Sequence, residues 1–212
     1  AVIVRSGFSG SPAQQQNDPP EYKIRNPSFP SQSTFNEEFT VTADVENTGD
    51  LDGDLDVELV NNGTVLDTVS GLTLNSSEKK NVEFAYTPDR SDGDQIDLVI
   101  RTNDQVGSGI DDSTSPNTVD LLDPASFTVN ITEANPDPVE AGQTLDVDVD
   151  VENTGEAQGA ETVELSVDGT VVDSQQETVA GTEQGSGSNV SSITLSYSPT
   201  SSDVGTGVPV VA

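Results

Sequence analysis

One stretch of this chain occurs twice. Thr42-Ala43-Asp44-Val45-Glu46-Asn47-Thr48-Gly49 returns as Asp148-Val149-Asp150-Val151-Glu152-Asn153-Thr154-Gly155, and Tyr86-Thr87-Pro88 returns as Tyr197-Ser198-Pro199. Self-similarity at this spacing means two copies of one domain. The length of 212 residues suits two domains of about 100 residues each, large enough to fold without disulfides or metals. A duplicated module with no catalytic residue types in common is a spacer or a binder before it is an enzyme.

The apolar residues recur with period two. Phe39, Val41, Ala43 and Val45 alternate with Thr40, Thr42, Asp44 and Glu46; Leu145, Val147, Val149 and Val151 alternate with Asp146, Asp148, Asp150 and Glu152. That is the pattern of a strand with one buried and one solvated face. Further strands are expected at Leu55-Val57-Leu59 and Val163-Leu165-Val167, each followed by a hairpin signal, Asn62-Gly63 and Asp168-Gly169. Val82-Phe84-Tyr86 and Ile193-Leu195-Tyr197 read as later strands, and Ile96-Leu98-Ile100 and Val208-Val210 as the last ones. Pro209 lacks a ladder donor, so its strand should lie at an edge or carry a bulge. No segment has helical periodicity. The expected fold is all-β: two tandem immunoglobulin-like antiparallel β-sandwiches, with about seven strands in each.

The expected organisation is an N-terminal strand and polar linker (1–20), sandwich one (21–103), a linker (104–124) and sandwich two (125–212). In the linker, Thr118 to Leu122 is apolar enough for a strand or a packed connection. Val2-Ile3-Val4-Arg5 resembles the closing strand Leu98-Val99-Ile100-Arg101. The chain therefore reads as a segment of a longer array, as a subunit whose N-terminal strand completes a neighbour's sheet, or as one whose N-terminal strand is local, with no partner outside its own domain.

Charge sets the solvent. There are 38 Asp and Glu against 7 Lys and Arg, a formal net charge of −31. Repulsion on that scale opposes compaction at low salt, whereas at molar salt the screening length falls to about 3 Å. The regular alternation argues against disorder, so the expected source is a halophilic archaeon. Nucleic acid is excluded as a partner because nothing neutralises phosphates. No stretch is long and apolar enough to cross a bilayer as a helix. Without His or Cys the usual bases and nucleophiles are missing, and no catalytic residue or cofactor is expected.

Several residues are candidate sites. Asp50, Asp52, Asp54 and Asp56 alternate around Gly53, and clustered carboxylates are what calcium requires. The glycine is misplaced for an EF-hand loop and copy two lacks the series, so a solvated acidic strand edge is the stronger expectation. Asp92 and Asp94 beside Gly93 read as a turn, and Asp111-Asp112 as part of the linker. Four Asn-x-Ser/Thr acceptors, at Asn62, Asn75, Asn130 and Asn189, mark possible glycan sites on an exported protein. Asn130 must face outward to be modified. Tyr86 and Tyr197, at matching positions, are expected to pack, each with its hydroxyl on a backbone partner. Lys79-Lys80 relieves local repulsion.

Phe127-Thr128-Val129, Asn135-Pro136, Val139-Glu140-Ala141-Gly142, the Asp-Val-Glu-Asn-Thr-Gly strand end and the Tyr-x-Pro segment together resemble the CARDB family, the cell-adhesion-related domain of bacteria and archaea. Copy two matches nearly throughout and copy one more loosely at its start, around Tyr22-Lys23-Ile24. The acidic strand looks particularly like tandem copies in haloarchaeal surface proteins. The resemblance implies an immunoglobulin-like sandwich, an extracellular setting, protein partners and no shared active site. In this reading Gly49 and Gly155 supply backbone freedom where a strand stops. The expected function is a non-enzymatic exported surface protein of adhesion type. The alternatives are a subunit of an extracellular filament or halophilic virus particle, assembled by strand addition, and, more weakly, the accessory pair of a secreted hydrolase.

Overall fold

A computed structural model describes residues 17–104, 110–203 and 210–211. The protein is all-β: the only helical element among these residues is one 3₁₀ turn, Arg90–Asp92. The strands up to residue 122 are β1 (Tyr22–Ser28), β2 (Gln32–Thr34), β3 (Phe39–Asn47), β4 (Gly53–Asn61), β5 (Thr64–Leu74), β6 (Lys79–Tyr86), β7 (Gln95–Asp104), β8 (Ile110–Ser113) and β9 (Asn117–Leu122). Beyond it run β10 (Phe127–Asn135), β11 (Leu145–Asn153), β12 (Gly159–Val167), β13 (Thr170–Val179), β14 (Val190–Tyr197) and β15 (Val210–Val211). Among the described residues nine strands lie before residue 123 and six after it, where about seven per copy are expected. The surplus comes from β8 and β9, which occupy part of the stretch expected to be a linker. Asp111 and Asp112 lie in a strand because the neighbouring strand β7 offers them a ladder. Val2-Ile3-Val4-Arg5, Val208 and Pro209 lie outside the described residues; β15 itself is an edge strand.

The chain packs as two units. The first holds residues up to Pro30, Phe39–Tyr86 and Asp97–Thr118; the second holds Ser31–Glu38, Thr87–Ile96 and the chain from Val119 onward. In the first, β1-β3-β6 form one antiparallel sheet, and β4 pairs antiparallel with β5 and β7. The inward residues are those set by period two: Val41, Ala43 and Val45 from β3, Leu55, Val57 and Leu59 from β4, and Val82 and Phe84 from β6 are all buried. Tyr22 joins them with no exposed surface. In the second unit, β10-β11-β14 and β13-β12-β15 are antiparallel sheets, and β2 pairs in parallel with β9. Its core gathers Leu145, Val147, Val149 and Val151 with Val163, Leu165, Val179, Ile193 and Leu195. Burying each such side chain contributes about 1.5–3 kcal/mol.

Both hairpin signals act as expected. Asn62 and Gly63 have φ of 47° and 85°, and Asp168 and Gly169 have 50° and 76°. Two successive positive φ angles make the two-residue turn whose twist matches that of the strands it joins. Asn61 pairs with Thr64, and Val167 with Thr170, across these turns.

Candidate functional site

The repeated Asn-Thr-Gly is the most elaborate polar feature of each unit. Asn47 and Asn153 continue the inward phase of β3 and β11 and have no exposed surface. A buried amide must find partners for two donors and two acceptor positions. Asn47 donates to the carbonyls of Leu51 (2.8 Å) and Leu74 (3.2 Å), and its Oδ1 accepts from the amides of Gly49 (3.0 Å) and Glu21 (3.3 Å). Asn153 repeats this with Ala157 (2.9 Å), Val179 (3.3 Å), Gly155 (3.0 Å) and Ser126 (3.1 Å). One side chain thus ties together the end of its own strand, the following loop, a strand of the facing sheet and the entry of the unit. Thr48 and Thr154 add to the same entry, each donating its amide (2.7 Å) and its hydroxyl (3.1 Å) to the carbonyl of Glu21 or Ser126.

This corrects the role expected for the glycines. Neither Gly49 nor Gly155 has positive φ, so backbone freedom is not what they supply. A Cβ on Gly49 would overlap the carbonyl oxygen of Pro19, and one on Gly155 that of Pro124. Glycine is there because the entering chain crosses directly over it.

The outer face of β11 is a ladder of carboxylates and hydroxyls. Ser196 donates to Asp146 (2.8 Å), Thr194 to Asp148 (2.7 Å) and Ser192 to Asp150 (2.6 Å), all across to β14. Each charge is held by a neutral donor, which stabilises the carboxylate without cancelling it. In the first unit amides and a cation do this work. Asn26, Asn81 and Lys79 all reach Asp44 and hold its carboxyl below the usual range, the Asn26 amide contributing most. Lys80 reaches Glu78 at 3.4 Å and the carbonyl of Thr73 at 2.7 Å, so both lysines of the basic pair lie against acidic neighbours.

The Asp50–Asp56 series is distributed rather than gathered. Asp50 accepts from the Asp18 amide (3.1 Å), Asp52 from the Ser76 amide (2.9 Å), Asp54 from the Thr73 hydroxyl (2.6 Å) and Asp56 from the Gly71 amide (2.8 Å). Four separate donors draw the four carboxylates apart, and among the described residues no three acidic side chains converge as a metal set. Asp89 caps the 3₁₀ turn, accepting from Ser91, and Asp92 returns the bond to the Asp89 amide at 2.9 Å. Asp112 accepts from the Ile24 amide at 2.8 Å.

The four acceptor asparagines differ in availability. Asn62 is exposed at the tip of the β4–β5 turn. Asn130 is exposed on β10 and faces outward. The Asn75 amide is engaged by Glu78 at 2.8 Å. Asn189 is half-buried and donates to the carbonyl of Asn153 at 3.4 Å. Tyr86 packs edge-on against Phe39 at 5.9 Å. The Tyr197 hydroxyl bonds the carboxylate of Asp203, not the backbone partner expected. Burial first, and then this bond, raise its pKa, while the Thr200 amide first, together with the Thr200 and Tyr197 hydroxyls, holds Asp203 low.

The CARDB family model matches residues 20–113, from just before β1 to the end of β8. This segment is a CARDB domain. The clasp built by Asn47 lies within the matched residues. A comparison with curated proteins finds none that matches. Among solved structures, the chain is similar to an ICAM-5 D1–D4 ectodomain fragment at 13% identity and a TM-score of 0.41, over 84% of this chain and 53% of that one. It thus spans about half the length of that fragment. A protein of unknown function from Porphyromonas gingivalis W83 is similar at 15% identity and a TM-score of 0.32, over 83% of this chain and 81% of its own. Red sea bream transglutaminase follows at 15% identity and a TM-score of 0.31, over 85% of this chain and 27% of its own. No helix among the described residues is long and apolar enough to cross a membrane.

Proposed function

We propose that this is a non-enzymatic, exported protein of adhesion type, working at the surface of a halophilic archaeon as a salt-adapted spacer that presents protein partners. The observation that carries this reading is the CARDB domain at residues 20–113, whose buried Asn47 clasp recurs bond for bond around Asn153. Elaboration of this kind serves shape and rigidity. The acidic outer faces, stabilised by hydroxyls and amides, suit concentrated salt. Export is tested by treating intact cells of the source organism with a glutamyl endopeptidase and identifying the released peptides by mass spectrometry. Release from intact cells is expected; release only after lysis overturns the reading.

A further inference from the structure

Three aspartates share one placement. Asp67, Asp112 and Asp173 each sit at a bulge in an outer strand, opposite a residue of the interior. In β5, Val65 pairs with Val60, but Asp67 and not Leu66 stands opposite Leu59. In β13, Val171 pairs with Ser166, but Asp173 and not Val172 stands opposite Leu165. In β8, Ser113 pairs with Arg101 and Ile110 with Asn103, so Asp111 and Asp112 share the place opposite Thr102. Leu59, Leu165 and Thr102 have no exposed surface. Opposed residues share a face, so the extra residue re-aims each carboxylate toward the inner side at the rim of its sheet, where all three are half-buried. In an unbulged register Asp67 would stand opposite Glu58, and Asp173 opposite Glu164, like charge against like. From the rim each carboxylate reaches the other sheet and accepts a backbone amide from its outermost strand. Ile24 of β1 donates to Asp112 at 2.8 Å, Ala85 of β6 to Asp67 at 3.1 Å and Ser196 of β14 to Asp173 at 2.7 Å. Among the described residues β1 and β6 are the two edges of one sheet, and β14 is an edge of its counterpart. The other oxygen of Asp67 and of Asp173 accepts the next amide along, Thr68 at 2.7 Å and Ser174 at 2.9 Å, which fixes the side chain. The duplication carries the device twice, as Gly63-Thr64-Val65-Leu66-Asp67-Thr68 and Gly169-Thr170-Val171-Val172-Asp173-Ser174.

We infer that Asp67, Asp112 and Asp173 are edge guards, which keep a second copy of this chain from adding a strand to β6, β1 or β14. A strand that joins an edge needs its free amides as donors for its own carbonyls. At Ile24, Ala85 and Ser196 the donor is already taken by a charged acceptor, which holds it more strongly than a carbonyl would. The carboxylate also occupies the place where the incoming carbonyl oxygen would sit, and the two repel. The bulge adds a local twist that a flat partner strand does not match. Salt explains why a contact device is required. At low ionic strength the net charge of −31 keeps copies apart over a distance. In molar salt the screening length is about 3 Å, and that long-range repulsion is gone. A guard that works by hydrogen bonding at contact range is screened far less. The inference goes beyond the spacer reading: strand addition at these three edges is excluded as a mode of assembly, and protein partners meet faces and loops instead.

The test uses the full chain in molar KCl. Hydrogen exchange read by NMR should find the amides of Ala85 and Ser196 about tenfold to a hundredfold slower than those of Glu83 and Thr194, two places earlier on the same edges. Equal rates overturn the guard bonds. Light scattering across a concentration series should find the parent monomeric, and Asp67→Ala, Asp112→Ala and Asp173→Ala growing in mass with concentration. Protection at the freed amide should return only as mass grows. Asp150→Ala removes the same charge from an outer face and should stay monomeric. Circular dichroism confirms that each variant is folded. Asp112, on the outermost strand β8, is the guard whose loss least threatens folding, so it decides the matter if the other two variants unfold. Folded guard variants that remain monomeric overturn the inference. So does a parent that associates with protection at Ala85 or Ser196 rising alongside its mass. Association of Asp150→Ala to the same degree assigns the effect to net charge and overturns the guards as its cause. Each failure leaves the surface-protein reading standing, which cell shaving decides separately.

Discussion

Replacing Asn153 by Ala should be among the most damaging single changes to the second unit. Three of its four bonds are buried: those to the carbonyls of Ala157 and Val179 and from the amide of Gly155. The fourth, from the Ser126 amide, is partly buried. A buried polar group left without a partner costs about 1–3 kcal/mol. Carbonyls keep a second lone pair and relax more readily than amides, so the sum is about 3–6 kcal/mol rather than the full total. That approaches the stability of a whole domain, about 5–15 kcal/mol. Asn153→Asp is the sharper variant. It keeps the volume and the acceptors but removes both donors and buries a charge against two carbonyls, so at neutral pH it should cost at least as much as alanine. Thr154→Val, which removes one exposed hydroxyl bond to Ser126, should cost only about 0.5–1.5 kcal/mol. Denaturant unfolding in molar KCl, followed by circular dichroism, gives all three. The account of the clasp fails if the alanine variant lies within about 1 kcal/mol of the parent, or if aspartate is tolerated better than alanine.

Gly155→Ala, which drives a Cβ into the Pro124 carbonyl, should cost about 3 kcal/mol, whereas Gly169→Ala, in open space at a φ of 76°, should cost about 1 kcal/mol; thermal melts in molar salt rank them. The net charge of −31 should make folding salt-dependent, with β structure formed in molar KCl and lost on dilution; full β circular dichroism at about 0.05 M salt would refute this. Hydrogen bonds hold Asp44, Asp89 and Asp203 below their ordinary 3.8 and Glu78 below 4.5. Their contribution is complete above those values and lost as pH falls through the lower folded ones, so in molar salt an acid titration should show stability dropping below pH 4. Among the glycan acceptors, intact-mass and peptide mapping of protein from the source organism should find Asn62 and Asn130 occupied before Asn75 and Asn189, whose amides already serve Glu78 and Asn153.

The strands and turns were legible because their signals are local. Alternation in β3 and β11 needs only neighbouring residues, and Asn62-Gly63 and Asp168-Gly169 carry their own backbone preference. The clasp was misread as a simple strand stop, although parity could have exposed it: Asn47 follows Val41, Ala43 and Val45 on the inward phase, and Asn153 follows Val147, Val149 and Val151. A polar residue in phase with a core is a buried polar residue in want of partners. The hydroxyl ladder was readable in the same way, from Ser192, Thr194 and Ser196 set against alternating aspartates. The reason for Gly49 and Gly155 was not readable, because it lies in a crossing chain segment distant in sequence. β8, rich in Asp and Ser, has no apolar rhythm and exists because β7 offers it hydrogen bonds. The dispersal of Asp50, Asp52, Asp54 and Asp56 likewise depends on donors from residues 18, 71, 73 and 76.

The clasps also decide how tension enters the molecule. Glu21 and Ser126 are the residues through which the chain enters β1 and β10, and each is held by three hydrogen bonds: its amide to the buried asparagine and its carbonyl to the amide and hydroxyl of the next threonine. A pull on the backbone at residue 20 or 125 loads these three together, so they must rupture as a set before the first strand can peel.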